Sequence, residues 1–273
     1  MDRFASPVNL PGADYVLAGR FAVYGDDLGQ WSETDVPGRD CLGYIGLIDT
    51  SVATAKIAQC PDVPFVSVTT GVHGVAAEVR ASSAWDMDRT IGHLRALDGV
   101  VSVDTLTYVE VVRDVAGPVG EVDIQVDQID LSLLQVLQDD GRASFVDLAG
   151  AVGISAAGAR RRVMRLITSQ VVRIGAVVRH SGKDRQTALG FGVRLAGDHK
   201  SVIEKITDLP SVIFVARTLG RFDLLGTMRA SSAGQLAALL DSVRSMAGVN
   251  AVDSWTHLQI VKESYSVSFD VHQ

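Results

Sequence analysis

PDVPFVSVTTGVHGVAAEVRASSA at residues 61–84 returns 149 positions later, without a gap, as PSVIFVARTLGRFDLLGTMRASSA at residues 210–233. Eleven of the 24 positions are identical: Pro61, Val63, Phe65, Val66, Thr69, Gly71, Arg80, Ala81, Ser82, Ser83 and Ala84. The same offset aligns GVVSVDTLTYV (99–109) with GVNAVDSWTHL (248–258). A register held across the intervening segment means duplication, not shared composition. Residues 120–185 have no upstream counterpart, so the 273-residue chain reads as repeat, insert, repeat.

Each repeat predicts the order β-α-β-β-α-β. In the second copy, residues 188–195 form a first strand. Asp198 is placed to cap a helix carrying Val202, Ile203 and Ile206, which stops before Pro210. Residues 212–218 are rich in β-branched and aromatic side chains, 220–223 turn, and 224–229 return. Ser231 or Ser232 caps a second helix in which Leu236, Leu239, Leu240, Val243 and Met246 recur at helical spacing, and Gly248 ends it. Residues 252–261 close the unit. This is the split βαβ, or ferredoxin-like, order, whose single helical layer leaves one sheet face in need of a cover. The other copy, in the same chain or another, supplies one. The tail SYSVSFDVHQ alternates Tyr265, Val267, Phe269 and Val271 with polar residues, which suits either an extra edge strand or a frayed end.

The insert has a different grammar. In DQIDLSLLQVL (127–137), Ile129, Leu133, Leu134, Val136 and Leu137 share a broad helical face. Gly141 breaks that helix. Ser144 starts a short one with Phe145, Leu148, Ala149 and Val152, Gly153 turns, and Ser155 caps a third. Two short helices about a glycine turn, the second basic, make a helix-turn-helix, and the β-like run VVRIGAVVRH (171–180) follows as a wing.

The third helix carries ISAAGARRRVMRL (154–166). Ala159, Val163, Leu166 and Ile167 are its buried stripe. At about 100° per residue, Arg161 and Arg165 point away from that stripe with Ala157, Gly158 lies beside them, and Arg160 and Arg162 flank it. Small residues let the backbone sink into a major groove, and guanidinium groups then reach guanine edges or phosphates. Of the two flanking arginines, one is expected to pair internally with an acid such as Asp147. Eight cations and one anion between 155 and 185 contrast with one cation and seven anions between 121 and 154. The positive charge is therefore local in a chain of net charge -7, which argues against indiscriminate nucleic-acid binding.

The composition, 47% hydrophobic and 21% charged, is that of a globular protein, not a disordered one. Cys41 and Cys60 are too few for a disulfide scaffold. No signal-peptide pattern and no membrane-length apolar run appear, so a cytoplasmic location is expected. The six histidines lack paired ligand spacing, and no P-loop, dinucleotide fingerprint or nucleophile elbow occurs; no metal or cofactor is expected.

The insert resembles the winged helix-turn-helix of the Lrp/AsnC regulator family. The shared marks are the opening D-x-x-D (Asp127, Asp130), DGR before the second helix, LA and VGIS across the turn, and RRVMRL in the recognition helix. The repeat after it resembles that family's effector-sensing and oligomerisation domain, with TLGRFDLL (218–225) matching its G-x-x-D strand turn. The resemblance implies an α+β fold, a winged helix-turn-helix flanked by two ferredoxin-like βαββαβ domains. It divides the chain into a segment 1–14, a first sensor domain 15–116, a DNA-binding domain 117–180 and a second sensor domain 181–273. It implies a sequence-specific regulator of transcription that binds double-stranded DNA as a homodimer or higher homo-oligomer, with no membrane partner. The candidate DNA contacts are Ser155, Ala156, Ala157, Gly158, Arg160, Arg161, Arg162, Arg165 and, in the wing, Arg173. The candidate contacts to a small-molecule effector, taken to be an amino acid, are Gly220 and Asp223, with Thr218 and Arg221 beside them; equally, Gly220 and Asp223 can simply make and cap the turn.

The family's tandem form has a second helix-turn-helix that residues 1–40 lack; the strand-like run YVLAGRFAVYG (15–25) reads as a remnant of its wing. The first repeat has Gly74 where the second has Asp223, so an effector held by Asp223 would not be held there. Two other readings remain. Some proteins of this architecture are sirohaem decarboxylases, for which Arg173, Arg179 and His180 would serve the tetrapyrrole, although QTALGFG replaces the run expected there. The other is a sensor or scaffold that has lost DNA binding.

Overall fold

The computed structural model describes residues 14–18, 39–47, 50–81, 83–114, 126–169, 171–177, 187–197 and 199–264. Before the insert run β1 (Asp14–Ala18), β2 (Arg39–Leu47), α1 (Thr50–Ala58), β3 (Phe65–Thr69), β4 (Val75–Ala81), α2 (Ala84–Arg95) and β5 (Val100–Asp114). The insert holds α3 (Gln128–Asp139), α4 (Phe145–Val152), α5 (Ala156–Thr168) and β6 (Arg173–Val177). After it come β7 (Thr187–Leu195), α6 (Lys200–Thr207), β8 (Val212–Leu219), β9 (Leu224–Ala230), α7 (Ala233–Arg244) and β10 (Val249–Glu263).

Both repeats show the expected βαββαβ order. Their sheets have the same arrangement, second strand, third, first, fourth: β3-β4-β2-β5 and β8-β9-β7-β10. The two sheets join into one closed barrel through β5–β8 and β10–β3, so the repeats cover each other within the chain. Closure rests on two strands of 15 residues each, against a usual strand length of about 5–6 residues. The first half of β5 pairs with β2 and the second with β8; β10 pairs with β7 and then with β3. A closed barrel leaves no long sheet edge to recruit foreign strands.

The side chains that meet at the two joints correspond at the repeat offset. Phe65 meets His257 edge-on at 6.0 Å, and Tyr108 meets Phe214 at 5.8 Å. Lys262 donates to the Cys60 carbonyl at 2.8 Å, and Arg113 donates to the Thr207 carbonyl. Each cation thus crosses the joint to the carbonyl end of the other repeat's first helix, where the helix dipole favours positive charge.

Alternation along the strands divides the core. Val75, Ala77 and Val79 face α1 and α2 with Ile57, Met87, Ile91 and Leu94. Leu224 and Met228 face α6 and α7 with Val202, Ile206, Leu236 and Val243. On the opposite sheet faces, Ala76 and Leu106 of the first repeat meet Phe222 and Leu225 of the second. The helix-turn-helix has its own core of Leu131, Leu133, Leu134, Leu137, Leu148, Ala149, Ala159, Val163 and Leu166.

Several boundaries differ from the sequence reading. Of the strand placed in 15–25, residues 15–18 fall in β1, which pairs antiparallel with the wing strand β6 and not with the barrel, and residues 19–25 lie outside the described residues. The first repeat's barrel strands therefore begin at β2. His199, with no side-chain cap, occupies the N-cap position of α6; Asp198 and the 265–273 tail lie outside the described residues. Ser232, not Ser231, caps α7. Phe145 is 37% exposed and does not belong to the buried face of its helix. No helix among the described residues is long and apolar enough to cross a membrane.

Candidate functional site

Caps place the three helices of the insert. The Asp127 carboxylate accepts the Asp130 backbone N–H at 2.9 Å, and Asp130 returns the favour to the Asp127 N–H at 3.2 Å, a reciprocal capping box on α3. Ser144 and Asp147 build the same box on α4. Gly153, at φ 73°, ends α4 in the left-handed conformation glycine tolerates. The Ser155 hydroxyl then accepts the Gly158 N–H at 3.1 Å to start α5. Ala159, Val163 and Leu166 are buried, as their spacing requires.

The arginines of α5 divide differently from the helical wheel. Arg162 Nη1 lies 2.7 Å from an Asp127 oxygen and 2.9 Å from an Asp130 oxygen. Arg165 Nη2 pairs with the other Asp130 oxygen. Asp130 is fully buried. So of the expected outward pair, Arg161 and Arg165, the second turns back to α3. The expected internal pairing of a flanking arginine is found at Arg162, but its partners are Asp127 and Asp130; Asp147 accepts from the Ser144 hydroxyl at 2.6 Å instead. Partial burial raises the Asp127 carboxyl, but the Asp130 N–H and the Arg162 guanidinium outweigh it, and the group lies below the ordinary carboxylate range. Both carboxylates in turn hold Arg162 above the usual arginine value, against burial. Arg160 and Arg161 are exposed and make no ion pair with the described residues. Ser155 and Ala157 are exposed beside them, and Ala156 and Gly158 half-buried. Arg173 opens β6, its backbone opposite Ala18.

At the other candidate site, the G-x-x-D turn is knitted into the fold. The Thr218 hydroxyl donates to the Phe222 carbonyl at 2.8 Å, and the Thr218 N–H donates to the Asp223 carbonyl at 2.9 Å. The Asp223 carboxylate accepts the Leu195 N–H at 2.7 Å, and the Asp223 N–H donates to the Val193 carbonyl. Gly220 has φ 136°, and a Cβ there would stand 2.6 Å from Leu106 Cδ2 and 3.0 Å from the Thr105 carbonyl. Thr218, Gly220 and Asp223 thus hold the turn together, the role that the sequence also allowed for Gly220 and Asp223.

Arg221 is different. It reaches Asp104 and Asp253, each at 3.0 Å, and its guanidinium lies 4.6 Å from the Phe222 ring centroid. Burial works against its charge, but the two carboxylates raise its pKa. It opens on a cleft of about 390 Å³ between the repeats, lined also by Thr69, Thr70, Gly71, Val72, His73, Phe222 and residues 252–255. Phe222 stacks on Trp255 at 6.3 Å and 23° to make the apolar wall. Burial, with Arg221 nearby, lowers the His73 pKa, Asp104 opposing. The cleft thus offers a cation, the Asp253 carboxylate and an aromatic wall in one space. Among the described residues no group of three His, Cys, Asp or Glu side chains is placed to hold a metal ion.

Sequence reasoning missed Asp104 and Asp253, although both sit at the same position of the aligned segments GVVSVDTLTYV and GVNAVDSWTHL. It also missed the purpose of Asp127 and Asp130, which are both caps and arginine anchors. Arg179 and His180 lie outside the described residues.

Comparison with known proteins matches residues 126–167 to the AsnC-type helix-turn-helix domain and residues 191–267 to the Lrp/AsnC ligand binding domain. The chain is 27% identical over 146 residues to the HTH-type transcriptional regulator FL11 of Pyrococcus furiosus, covering 50% of this chain and 93% of that protein. It is 48% identical over 52 residues to the leucine-responsive regulatory protein of Rhizobium meliloti, covering 19% and 33%. In fold it resembles the crystal structure of the siroheme decarboxylase NirDL, with TM-score 0.60 at 14% identity, over 84% of this chain and 75% of that one.

Proposed function

We propose that this chain, whose residues 126–167 and 191–267 match the two domains of Lrp/AsnC regulators, is a transcription regulator that reads DNA with Arg160 and Arg161. Its relatives are helix-turn-helix regulators with an AsnC-type ligand-binding domain, and the chain is accordingly a DNA-binding regulator that responds to a small molecule. The observation that carries the residue assignment is a pair of exposed guanidinium groups, without an ion pair among the described residues, behind the small residues Ala156 and Ala157 on a capped second helix. A helix backbone seated that closely brings arginine to a guanine edge or a phosphate.

The first repeat, residues 39–114, is read as a second ferredoxin-like domain that has become the permanent partner of the first, because its strand order repeats that of residues 187–263. β1 then belongs with the winged domain, a revision of the boundary placed at residue 15. The described residues present one reading helix, so two half-sites call for a homodimer or a higher homo-oligomer. The effector site is the cleft at Arg221. An α-amino acid suits it, with its carboxylate on Arg221, its ammonium on Asp253 and its side chain against Phe222 and Trp255. The volume is in the range of small-ligand pockets, about 300–1,000 Å³.

Selection of bound duplexes from a random pool, followed by affinity measurement on the winning sequence, tests the DNA assignment. Arg160→Ala and Arg161→Ala are each expected to weaken binding, by about 1–3 kcal/mol where the contact is a bidentate guanine pair. Unchanged affinity in both variants would remove the assignment. Thermal-shift screening of the twenty amino acids tests the cleft: a ligand that stabilises the wild type should lose its effect in Arg221→Met.

A further inference from the structure

We infer that Asp130 is a positioning residue for DNA recognition: it withdraws Arg165 from the outward face of α5 and, with Asp127, ties Arg162 to α3, leaving Arg160 and Arg161 as the helix's DNA-facing cations. The inference rests on the DNA-reading role proposed above and adds the choice among four arginines that look alike in the sequence.

The argument begins with burial. Asp130 is 0% exposed, and partners meet both of its carboxylate oxygens. One oxygen accepts from Arg162 at 2.9 Å; the other takes Arg165 and the Asp127 N–H. A buried carboxylate with its partners in place strongly resists losing one, because the charge left behind is uncompensated. Arg165, 43% exposed at its side chain, is therefore tethered through Nη2, and a phosphate must compete with Asp130 for its guanidinium. Arg161, one helical turn earlier, faces no such carboxylate among the described residues. The same contacts fix geometry. Asp130 sits on the first turn of α3, while Arg162 and Arg165 are one turn apart on α5, so the cluster pins α5 at two levels against α3. Rotation of α5 about its own axis would break one contact or the other. Asp130 thus sets which residues are presented as well as which are withheld.

Two measurements on the full chain test this. The first needs no DNA: arginine modification by phenylglyoxal, mapped by mass spectrometry. Arg160 and Arg161 should react several-fold faster than Arg162 and Arg165, and Asp130→Asn should bring Arg165 to the rate of Arg161. Equal rates at Arg161 and Arg165 in the wild type would overturn the inference. The second is the salt dependence of affinity for a labelled duplex of mixed sequence, where each phosphate contact contributes a slope of about 0.9. Arg161→Gln should reduce the slope by about one contact, Arg165→Gln should leave it unchanged, and Asp130→Asn should steepen it by about one contact while narrowing the preference for selected over random duplex. A slope lowered equally by Arg161→Gln and Arg165→Gln would overturn the inference even where Asp130→Asn fails to fold. Labelling as expected with no duplex binding at any salt would instead overturn the DNA-reading role itself, and the consequence for DNA with it.

Discussion

The turns at residues 69–74 and 218–223 have the same internal hydrogen bonds and different surroundings. Thr69 donates its hydroxyl to the His73 carbonyl at 2.9 Å, as Thr218 does to Phe222 at 2.8 Å, and both threonine N–H groups close the same way onto Gly74 and Asp223. Yet Gly220 is pressed against Leu106 and the Thr105 carbonyl, whereas a Cβ at Gly71 would meet nothing within 4 Å. Ser254 and Trp255, the counterparts of Thr105 and Leu106, stand back from Gly71, and the space between is the cleft. Arg221, which points into it, replaces Val72, and Phe222 replaces His73. Duplication therefore supplied one turn as a structural seat and the other as the open rim of a cleft. The lesson is that a repeat's hydrogen-bond skeleton can be conserved in detail while function depends on whether the neighbouring strand packs against it.

The sharpest way to break that comparison is to put the same methyl on both turns. Gly220→Ala should cost about 3–5 kcal/mol, combining the strain of positive φ with overpacking against backbone and Leu106. Gly71→Ala should cost about 1–2 kcal/mol, since only the strain remains. Urea denaturation of the two variants reads the difference directly, and equal losses would mean that the first turn is as tightly seated as the second.

The joints differ in a way that pH exposes. Burial, with Arg229 nearby, lowers the His257 pKa to about 4, while Tyr108 holds the equivalent place at the other joint. An unfolded histidine titrates near 6.5. Between these values the unfolded chain binds a proton that the folded chain refuses. This contribution is therefore present above about pH 6.5 and is lost as pH falls towards 4, by roughly 3 kcal/mol in total, with no further loss below. His257→Tyr, which copies the other joint, should flatten that part of a stability–pH curve. An unchanged curve would place the acid sensitivity elsewhere.

Much of this was legible in advance because it is local. Serine caps, Gly153, and the apolar spacing of α3, α5 and α7 depend on residues within a turn or two. The repeat itself implied two copies of one strand order. The pairing of those copies inside one chain was not readable, since it depends on contacts such as Tyr108 with Phe214, more than a hundred residues apart. The unusual length of β5 was the available hint. Arg165 was misplaced for another reason. A helical wheel fixes the direction of Cα–Cβ, but a long arginine can bend back over its apolar stem to a carboxylate on a neighbouring helix. The matched aspartates 104 and 253 were visible in the alignment, but their meaning required Arg221 to arrive from a different strand pair.

A smaller effect separates the proposed site from its scaffold. Arg221→Met leaves Asp104 and Asp253 without their shared cation. At half-exposed carboxylates the loss of stability at pH 7 should be about 1 kcal/mol or less, while ligand-induced stabilisation disappears. Val72→Met, at the equivalent position of the first turn, should leave ligand response intact even though Val72 also borders the cleft, because it supplies no charge. A ligand response lost in both would mean that the rim's shape, not the guanidinium, selects the ligand.

The smallest expected difference is none at all. Thr69→Val and Thr218→Val each remove a hydroxyl donor from a buried turn while keeping the side chain's volume. Each leaves one carbonyl, that of His73 or Phe222, without its partner, at a cost of about 1–2 kcal/mol. Because the two bonds are nearly the same length and both threonines are only 6% exposed, the losses should agree within a few tenths of a kcal/mol. Neither variant should alter DNA affinity, which belongs to the helix-turn-helix. Should Thr218→Val also abolish the ligand response while Thr69→Val does not, the Thr218 hydroxyl would be exchanging its turn partner for the ligand, and the second turn would open on binding instead of acting as a fixed seat.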